Sequence, residues 1–316
     1  MGDPSKQIRE AARKLFEEDK VDLIIGFEDG SLPLRATPCF IRKGEDAERL
    51  VWNSFCENNL ATYLPKKKGR IGIVAKGCDS RSIVGFLKEK QIDREDLVVI
   101  GLPCEGMIDR KTVEERMEEG EIIAAEEGPD GIVVKGTDFQ EKMKKEDLLP
   151  ESCRVCTHRN PVLYDVLIGE AVEEQKVADP FGPIRGFEGK TAEERWAYFS
   201  GETEKCIRCY ACRNACPICY CEACYVDSSE PQWFGKSIES TDTQIFHIVR
   251  AFHAAGRCVD CGACIRACPV DVDLRFLNKK IEKDILELFS FEAGEDPDRP
   301  PPLTTYKQDD PEGFIK

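Results

Sequence analysis

The sequence predicts an α/β N-terminal domain with a parallel βαβ core, followed by a mostly α-helical domain that is rich in cysteine. Two observations predict this fold class. Short apolar runs alternate with helical patterns in the first half of the chain, whereas closely spaced cysteines and helical periodicity dominate from residue 200 onward. The 316 residues are enough for two domains that each bury a hydrophobic core.

The first predicted elements are a helix and a strand. Asp3 as a cap and Pro4 in the first turn predict a helix over 4–19. The apolar run VDLIIGF predicts a strand at 21–27. A second helix is expected over 46–63, so these elements precede the parallel core.

The parallel core is predicted from two apolar runs with a helical pattern between them. Residues 70–75 form the first buried run. Asp79 is suited to cap a helix over about 80–90, and LVVIGLPC predicts a strand at 97–104. A strand, a helix and a strand of these lengths form a right-handed parallel βαβ unit.

The domain limits follow from composition. DPFGPIRGFEG at 179–189 is rich in Pro and Gly and predicts a linker, so the domain boundary is expected near 185–200. The segment TAEERWAYF predicts a helix after this linker. We expect three parts, namely an α/β domain over 1–185, a cysteine-rich domain over 200–290, and an extended acidic and Pro-rich tail over 291–316.

The charge of the chain excludes some classes of partner. Lys and Arg total 45 and Asp and Glu total 60, which gives a net charge of −15. An acidic surface disfavours nucleic acid and anionic membranes. No apolar run approaches the roughly 18 residues of a membrane span, and the charged N-terminal segment lacks the apolar core of a signal peptide. We therefore expect a cytoplasmic protein with neither a nucleic-acid partner nor a membrane span.

The strongest motif is a pair of runs with the spacing C-x2-C-x2-C-x3-C-P, at 206–217 and 258–269. Bacterial ferredoxins have this spacing, and the fourth cysteine of each run ligates the cluster of the other run. Structural zinc requires neither the third cysteine nor the proline. The runs therefore predict two [4Fe–4S] clusters, the first on Cys206, Cys209, Cys212 and Cys268 and the second on Cys258, Cys261, Cys264 and Cys216.

The segment between the two runs predicts a helical version of such a domain. It has 41 residues, which is long for a compact ferredoxin, and SIESTDTQIFHIVRAFHAAGR has apolar residues at helical spacing. It resembles the helical ferredoxin modules of heterodisulfide-reductase and succinate-dehydrogenase-type iron–sulfur subunits. His247 and His253 lie on or near this helix, where packing or capping near a cluster is favoured over ligation.

Four further cysteines predict a third [4Fe–4S] cluster. Cys78 and Cys104 each follow a predicted parallel strand, at the sheet edge where ligands bind. The helix between these strands directs free N–H groups into the same space, which favours an anion. Cys153 and Cys156 add a C-x2-C pair, so four thiolates are available. A redox-active C-x2-C pair and a zinc site are the alternatives.

The other five cysteines have less definite roles. Cys56 falls among apolar residues, and a buried structural cysteine is expected there. As partners for a further metal site, Cys39 and Cys56 are candidates only by elimination. With one more ligand, the closely spaced trio in CPICYCEAC could hold a fourth metal site, a cluster or zinc, and free or partner-facing thiols are the alternative. This trio is Cys219, Cys221 and Cys224.

Several of these segments resemble one family. KGCDSR (76–81), GLPCEG (101–106) and SCRVCTHRNPVLYDVLIGE (152–170) are similar to the β subunits of coenzyme F420-reducing hydrogenases and of related formate dehydrogenases. CIRCYACRNACPICYCEAC resembles the cysteine-rich tail of the formate dehydrogenase β subunits. The resemblance implies an α/β domain with FAD and one [4Fe–4S] cluster, which would be the cluster of Cys78, Cys104, Cys153 and Cys156.

The resemblance also leaves two functions open. The first is an electron-relay subunit that passes single electrons between other redox subunits of a hydrogenase, formate dehydrogenase or heterodisulfide-reductase-like complex. The second is an FAD-containing F420 oxidoreductase subunit that splits a hydride into single electrons. The relay is favoured because no Gly-Gly-x-x-Thr, G-x-G-x-x-G or Walker A segment occurs. If FAD binds, its phosphates are best placed against four residues at the start of the predicted helix. The alternative for the arginine among them is a solvent-exposed helix residue without a ligand. The four residues are Lys76, Gly77, Ser80 and Arg81.

Overall fold

The computed structural model of the chain describes residues 2–117, 120–128, 131–304 and 308. Two compact units divide the chain, unit 1 within residues 1–177 and unit 2 within 178–316. The predicted limits of the α/β domain, the cysteine-rich domain and the tail stay predictions. The described elements of unit 1 are α1 (Pro4–Glu17), β1 (Leu23–Asp29), β2 (Ala36–Ile41), β3 (Ile71–Ala75), α2 (Gly77–Lys88), β4 (Leu97–Gly101), α3 (Arg110–Arg116), β5 (Ile122–Gly128), β6 (Gly131–Gly136), β7 (Gln140–Met143), α4 (Glu151–Arg154) and β8 (Val166–Leu167).

Unit 1 contains the predicted parallel core. Its larger sheet has the order β2-β1-β3-β4-β8, in which β1, β3, β4 and β8 run parallel and β2 pairs antiparallel with β1. Helix α2 connects β3 to β4, so the βαβ unit is confirmed. All five residues of β3 are buried, as expected of a central parallel strand that is covered on both faces.

One predicted helix is wrong. Residues 46–63 form no α-helix, and two 3-10 turns, Gly44–Arg49 and Leu60–Lys66, lie in and beside this range. The side chain of Asn53 accepts a hydrogen bond from the backbone of Phe55, and the side chain of Asn59 accepts one from Ala61. Such local side-chain bonds compete with a helical backbone and explain the difference.

The small antiparallel sheet of unit 1 was not predicted. Its order is β5-β6-β7, and both strand pairs are antiparallel. The residues of β5 are at most partly buried, so they lack the strong apolar signal of the parallel strands.

Helix α2 begins earlier than predicted, because Asp79 is not its N-cap. Lys76 occupies the cap position, and the Asp79 carboxylate reaches back to accept a hydrogen bond from the Lys76 backbone at 3.1 Å. Asp79 also accepts from the backbone of Leu60 at 2.6 Å and pairs with the Lys76 ammonium group at 2.9 Å. As a consequence, Cys78 lies inside the first turn of the helix.

Unit 2 is helical, and none of its described residues forms a strand. Its core surrounds Phe246, which packs with Val226, Val272 and Leu274 and with two of the predicted ligand cysteines. Among the described residues, no helix is long and apolar enough to cross a membrane. The helices are α5 (Gly182–Glu188), α6 (Ala192–Glu204), α7 (Ala211–Ala215), α8 (Ser240–His253), α9 (Ala263–Arg266) and α10 (Leu274–Phe289).

The helices around the cysteine runs are mostly as expected. Helices α6 and α8 confirm the predictions, and α6 starts with a reciprocal capping box between Thr191 and Glu194. The linker predicted at 179–189 is wrong, since it contains α5. Proline is compatible with the first turn of a helix, which explains how a Pro-rich segment forms one.

The predicted tail lies only partly within the described residues. Its first part packs onto unit 2, where Phe291 and Ala293 are buried. The Arg299 side chain donates to the carbonyl groups of Phe289 and Ser290 at 2.7 and 2.6 Å. Residues 305–307 and 309–316 lie outside the described residues.

The Lys76–Asp79 pair generates a prediction about stability. The Asp79→Ala variant leaves the Lys76 ammonium buried without its carboxylate and leaves the backbone N–H groups of Leu60 and Lys76 without their acceptor. We expect the free energy of unfolding of unit 1 to fall by about 3–5 kcal/mol, measured anaerobically by guanidinium denaturation. Asp138→Ala, at an exposed position of the same unit, should change it by less than about 0.5 kcal/mol. Equal effects of the two variants would contradict this account.

Candidate metal centres

All seventeen cysteines are free thiols, so every predicted ligand is available to a metal. Cys39 and Cys56 are almost fully buried, as expected of structural cysteines. Burial raises the pKa of Cys39 to about 11 and that of Cys56 to about 12, which keeps both thiols protonated.

The first centre in unit 2 brings together the cysteines of the first run and the last cysteine of the second. Burial raises the pKa of Cys206, and the nearby Cys268 and Cys209 thiols raise it further. Burial likewise raises the pKa of Cys212 to about 11, with contributions from Cys206 and Cys268. Cys206 thus lies within electrostatic reach of the other three predicted ligands of the first cluster, and Cys212 also lies within reach of Cys264 of the second.

The second centre shows the reciprocal exchange. Burial is the largest cause of the raised pKa of Cys258, Cys261 and Cys264, and in all three cases the Cys216 thiol adds to it. Cys216 comes from the first run, and its own thiol is buried with a strongly raised pKa. Cys216 therefore lies near all three of these cysteines, and the ligand exchange between the two runs stays a prediction.

The two ligand loops have the same local conformation. Arg208 and Tyr210 lie two and four residues after Cys206 and have φ of 50° and 61°. Asp260 and Gly262 lie at the same offsets after the first cysteine of the second run, with φ of 52° and 71°. These left-handed residues turn the backbone so that successive cysteines, which have two residues between them, can direct their thiols at one point. The equal offsets explain why the two sequences share one spacing.

Unit 1 brings three of its four predicted ligands into mutual reach. Burial raises the pKa of Cys104 to about 12, and the Cys153 and Cys156 thiols add to the rise. Cys78 is linked to this group because its thiol and that of Cys104 both act on the Lys76 ammonium group. Burial alone would lower the pKa of Lys76. The charges of Asp79 and of the Cys78 and Cys104 thiols raise it above its usual value instead.

Backbone contacts hold this third centre together. The amide of Cys104 donates to the carbonyl of Arg159 at 2.8 Å, so the loop after the C-x2-C pair returns to the end of β4. Gly106 has φ of 99°, and a Cβ at that position would lie 3.4 Å from the Cβ of Cys153. Glycine therefore permits the turn after Cys104 to approach α4 closely.

The residues predicted for a flavin phosphate are occupied by contacts within the chain. The Ser80 hydroxyl donates to the Gly77 carbonyl at 2.8 Å and accepts from the Val162 amide at 3.0 Å. A Cβ at Gly77 would lie 2.1 Å from the carbonyl oxygen of His158, so the loop covers the helix start. Lys76 donates to a backbone carbonyl at 2.6 Å in addition to its ion pair. These contacts give no support to a phosphate site.

Arg81 is not the solvated helix residue that the sequence analysis kept as an alternative. Its side chain is buried, with 5% of its surface exposed. A guanidinium nitrogen lies 3.4 Å from Nδ1 of His158. Arg81 thus contacts the loop that follows the C-x2-C pair.

The cysteines proposed for a fourth site have different surroundings. The Cys219 thiol hydrogen-bonds with that of Cys216, which lowers the pKa of Cys219 to about 7 against the effect of burial. Cys221 is exposed. Cys224 hydrogen-bonds with the Arg213 side chain. The structure therefore links Cys219 to the second centre, and a fourth metal site stays a prediction.

Helix α8 supplies two residues beside the ligands. Nε2 of His247 lies 3.3 Å from Sγ of Cys206, a contact that fits the expected packing near a cluster. Burial lowers the pKa of His247 to about 4, with help from Arg250 and Arg208, so the imidazole is neutral at pH 7. Arg250 lies one turn later and was missed. Its signal was a cation within an otherwise apolar helical pattern.

Comparison with known proteins supports the iron–sulfur assignment. Residues 202–272 match the model of a 4Fe-4S dicluster domain, a range that includes all eight cysteines of the two runs. The chain is 23% identical to the F420-dependent formate dehydrogenase subunit beta of Methanocaldococcus jannaschii, over 91% of each chain. It is 24% identical to the F420-dependent formate dehydrogenase 1 subunit beta of Methanococcus maripaludis, over 92% of this chain and 90% of the relative.

A solved structure also aligns with the chain. It is the F420-reducing [NiFe] hydrogenase complex from Methanosarcina barkeri, with 15% identity and a TM-score of 0.36. The alignment covers 49% of this chain and 58% of that one. The predicted resemblance to the β subunits of F420-dependent enzymes is confirmed by the two formate dehydrogenase relatives, which match almost the whole chain.

The third centre can be tested with two buried cysteines of unit 1. The Cys104→Ala variant should lose about four irons per chain, because three thiolates hold a [4Fe–4S] cluster poorly. Cys56→Ala, which removes a fully buried thiol that is expected to be structural, should keep the wild-type iron content. Iron and acid-labile sulfide are measured on anaerobically purified protein. Retention of all iron by Cys104→Ala would exclude a cluster at this position.

Proposed function

We propose that this chain, similar along most of its length to β subunits of F420-dependent formate dehydrogenases, is the iron–sulfur subunit of such a redox complex. It relays single electrons between partner subunits through [4Fe–4S] clusters. The curated relatives are named as subunits, which supports assembly with other redox proteins.

The reciprocal exchange of the fourth cysteines carries the proposal. Two observations support it, since the Cys216 thiol helps to raise the pKa of Cys258, Cys261 and Cys264, and the Cys268 thiol helps to raise that of Cys206 and Cys212. A chain that exchanges ligands in this way holds its two clusters close together, as two-cluster ferredoxins do. Close clusters favour passage of one electron at a time over chemistry on a substrate.

The cluster in unit 1 would extend the relay to three clusters. Cys104, Cys153 and Cys156 lie in mutual reach, with Cys78 beside them, and a buried cation faces two of these thiols. Thiolate ligands need such compensation where water is excluded. The free state of all seventeen thiols fits a reducing compartment, and we propose a cytoplasmic complex on that ground.

The flavin-containing alternative has less support. The residues that would bind its phosphate are buried and bonded to the chain itself, and the loop at His158 covers the start of α2. A flavin is therefore an outcome of the test rather than part of the proposal. A fourth metal site at Cys219, Cys221 and Cys224 is treated in the same way.

The first experiment is a count of cofactors. Iron, acid-labile sulfide and flavin are assayed on one anaerobic, acid-quenched sample of the chain. About twelve irons without flavin supports the proposal, and about sixteen adds the fourth site. About eight irons removes the cluster of unit 1, and one flavin per chain replaces the proposal with the flavoprotein alternative.

The relay itself is tested with two exposed cysteines of the same region. Cys209→Ala removes a predicted ligand of the first cluster, whereas Cys221→Ala removes a neighbouring thiol outside both runs. In the co-purified complex, Cys209→Ala should lower electron transfer from formate to coenzyme F420 at least about a hundredfold. Cys221→Ala should change it less than about twofold. Unchanged transfer in Cys209→Ala would refute the relay.

A further inference from the structure

One guanidinium group in unit 2 contacts residues of both candidate centres. Arg250 lies on α8 and is buried, with 7% of its surface exposed. Its Nη2 donates to the backbone carbonyl of Cys212, a ligand of the first cluster, at 3.1 Å. The same side chain hydrogen-bonds with the thiols of Cys264, a ligand of the second cluster, and of Cys219.

Arg250 differs from the other buried cations of unit 2 in its partners. Lys279 and Lys283 form ion pairs with Asp260 and Glu188 at 3.0 and 3.1 Å. Arg208 donates to two backbone carbonyl groups at 2.9 Å. Among the described residues, Arg250 and Arg208 both pair with no carboxylate and both have an Nε without a hydrogen-bond partner, but Arg250 differs in that its side chain hydrogen-bonds with the thiol of Cys264. A buried cation in this position requires another source of negative charge.

The thiols are that source. Burial alone would lower the pKa of Arg250, but the thiols of Cys216 and Cys264, followed by those of Cys212 and Cys219, raise it above its usual range. A thiol that coordinates a metal is deprotonated, so ligation places negative charge beside the guanidinium. Arg250 therefore faces ligands rather than an acidic side chain.

We propose that Arg250 is the charge-compensating residue shared by the two centres, and that it raises the reduction potential of both clusters. The inference rests on the proposed function, because it requires both clusters. Reduction adds one negative charge to a cluster, and a fixed cation nearby stabilises the reduced form. The effect is larger at the second cluster, since two of its ligands, Cys216 and Cys264, face the guanidinium.

The position of Arg250 also relates the two potentials. His247, three residues earlier on the same face of α8, contacts Cys206 of the first centre. Helix α8 thus directs polar groups at both sets of ligands. A cation that contacts both centres raises both reduction potentials together. The difference between the two potentials therefore stays small, so that an electron can pass in either direction.

The test is a redox titration followed by electron paramagnetic resonance on the full chain. The variants are Arg250→Gln, Arg250→Met and Arg250→Lys. Arg299→Gln is the control, because it removes the same charge from unit 2 at a site bonded to backbone carbonyls. Iron and sulfide are counted in each sample, so a change in potential is separated from loss of clusters.

In Arg250→Gln, the equilibrium constant for reducing the second cluster should fall about tenfold, which is about 59 mV for one electron. The first cluster should shift less, and in the same direction. Arg250→Lys should recover at least half of the shift, and Arg299→Gln should change neither constant more than about twofold. The shift should persist in 1 M salt, because salt screens buried charges weakly.

Each outcome separates the inference from the proposed function. Wild-type protein without both clusters refutes the proposed function. Full iron content in Arg250→Gln with unchanged potentials refutes only the role of Arg250. If both neutral variants lose iron and Arg250→Lys retains it, the positive charge is required by the clusters, which supports the inference. Loss of iron in all three variants indicates a packing role and contradicts it.

Discussion

The structure depends on placing thiolate ligands where water is largely excluded. Burial favours the neutral thiol, as the raised pKa values of Cys104, Cys212 and Cys261 indicate. A metal must therefore displace protons, and the negative charge that results needs a nearby cation. The chain provides Lys76 in unit 1 and Arg250 in unit 2. Folding and metal binding are coupled through this constraint.

Under the proposed assignment, the two cysteine runs exchange their last ligands. A run that kept all four cysteines for one cluster would leave the two halves of unit 2 without a covalent link through metal. The exchange joins residues more than forty positions apart, namely Cys216 to the loop at Cys258 and Cys268 to the loop at Cys206. Helix α8 lies in the intervening segment, where His247 contacts Cys206 and Arg250 contacts both Cys212 and Cys264.

In unit 1 the same chemistry is built at a sheet edge. Strands β3 and β4 end side by side, and their parallel register brings the first turn of α2 and the loop at Cys104 together. The loop after Cys156 then closes over the start of α2, where Gly77 leaves room for a carbonyl oxygen. Because the chain packs closely against itself here, the thiols and Lys76 are the chemically active groups at this end of the sheet.

Much of this could be predicted from sequence, because the cysteine spacing and the buried apolar runs are local patterns. These patterns determined the parallel core, the helix of the long linker and the eight cysteines of the dicluster region. The antiparallel sheet β5–β7 and helix α5 were missed, because their signals are weak or, in α5, resemble those of a linker. Only the tertiary structure decided the partners of Lys76, Arg81 and Arg250. Their roles depend on which distant groups they meet after burial, and no local pattern records those contacts.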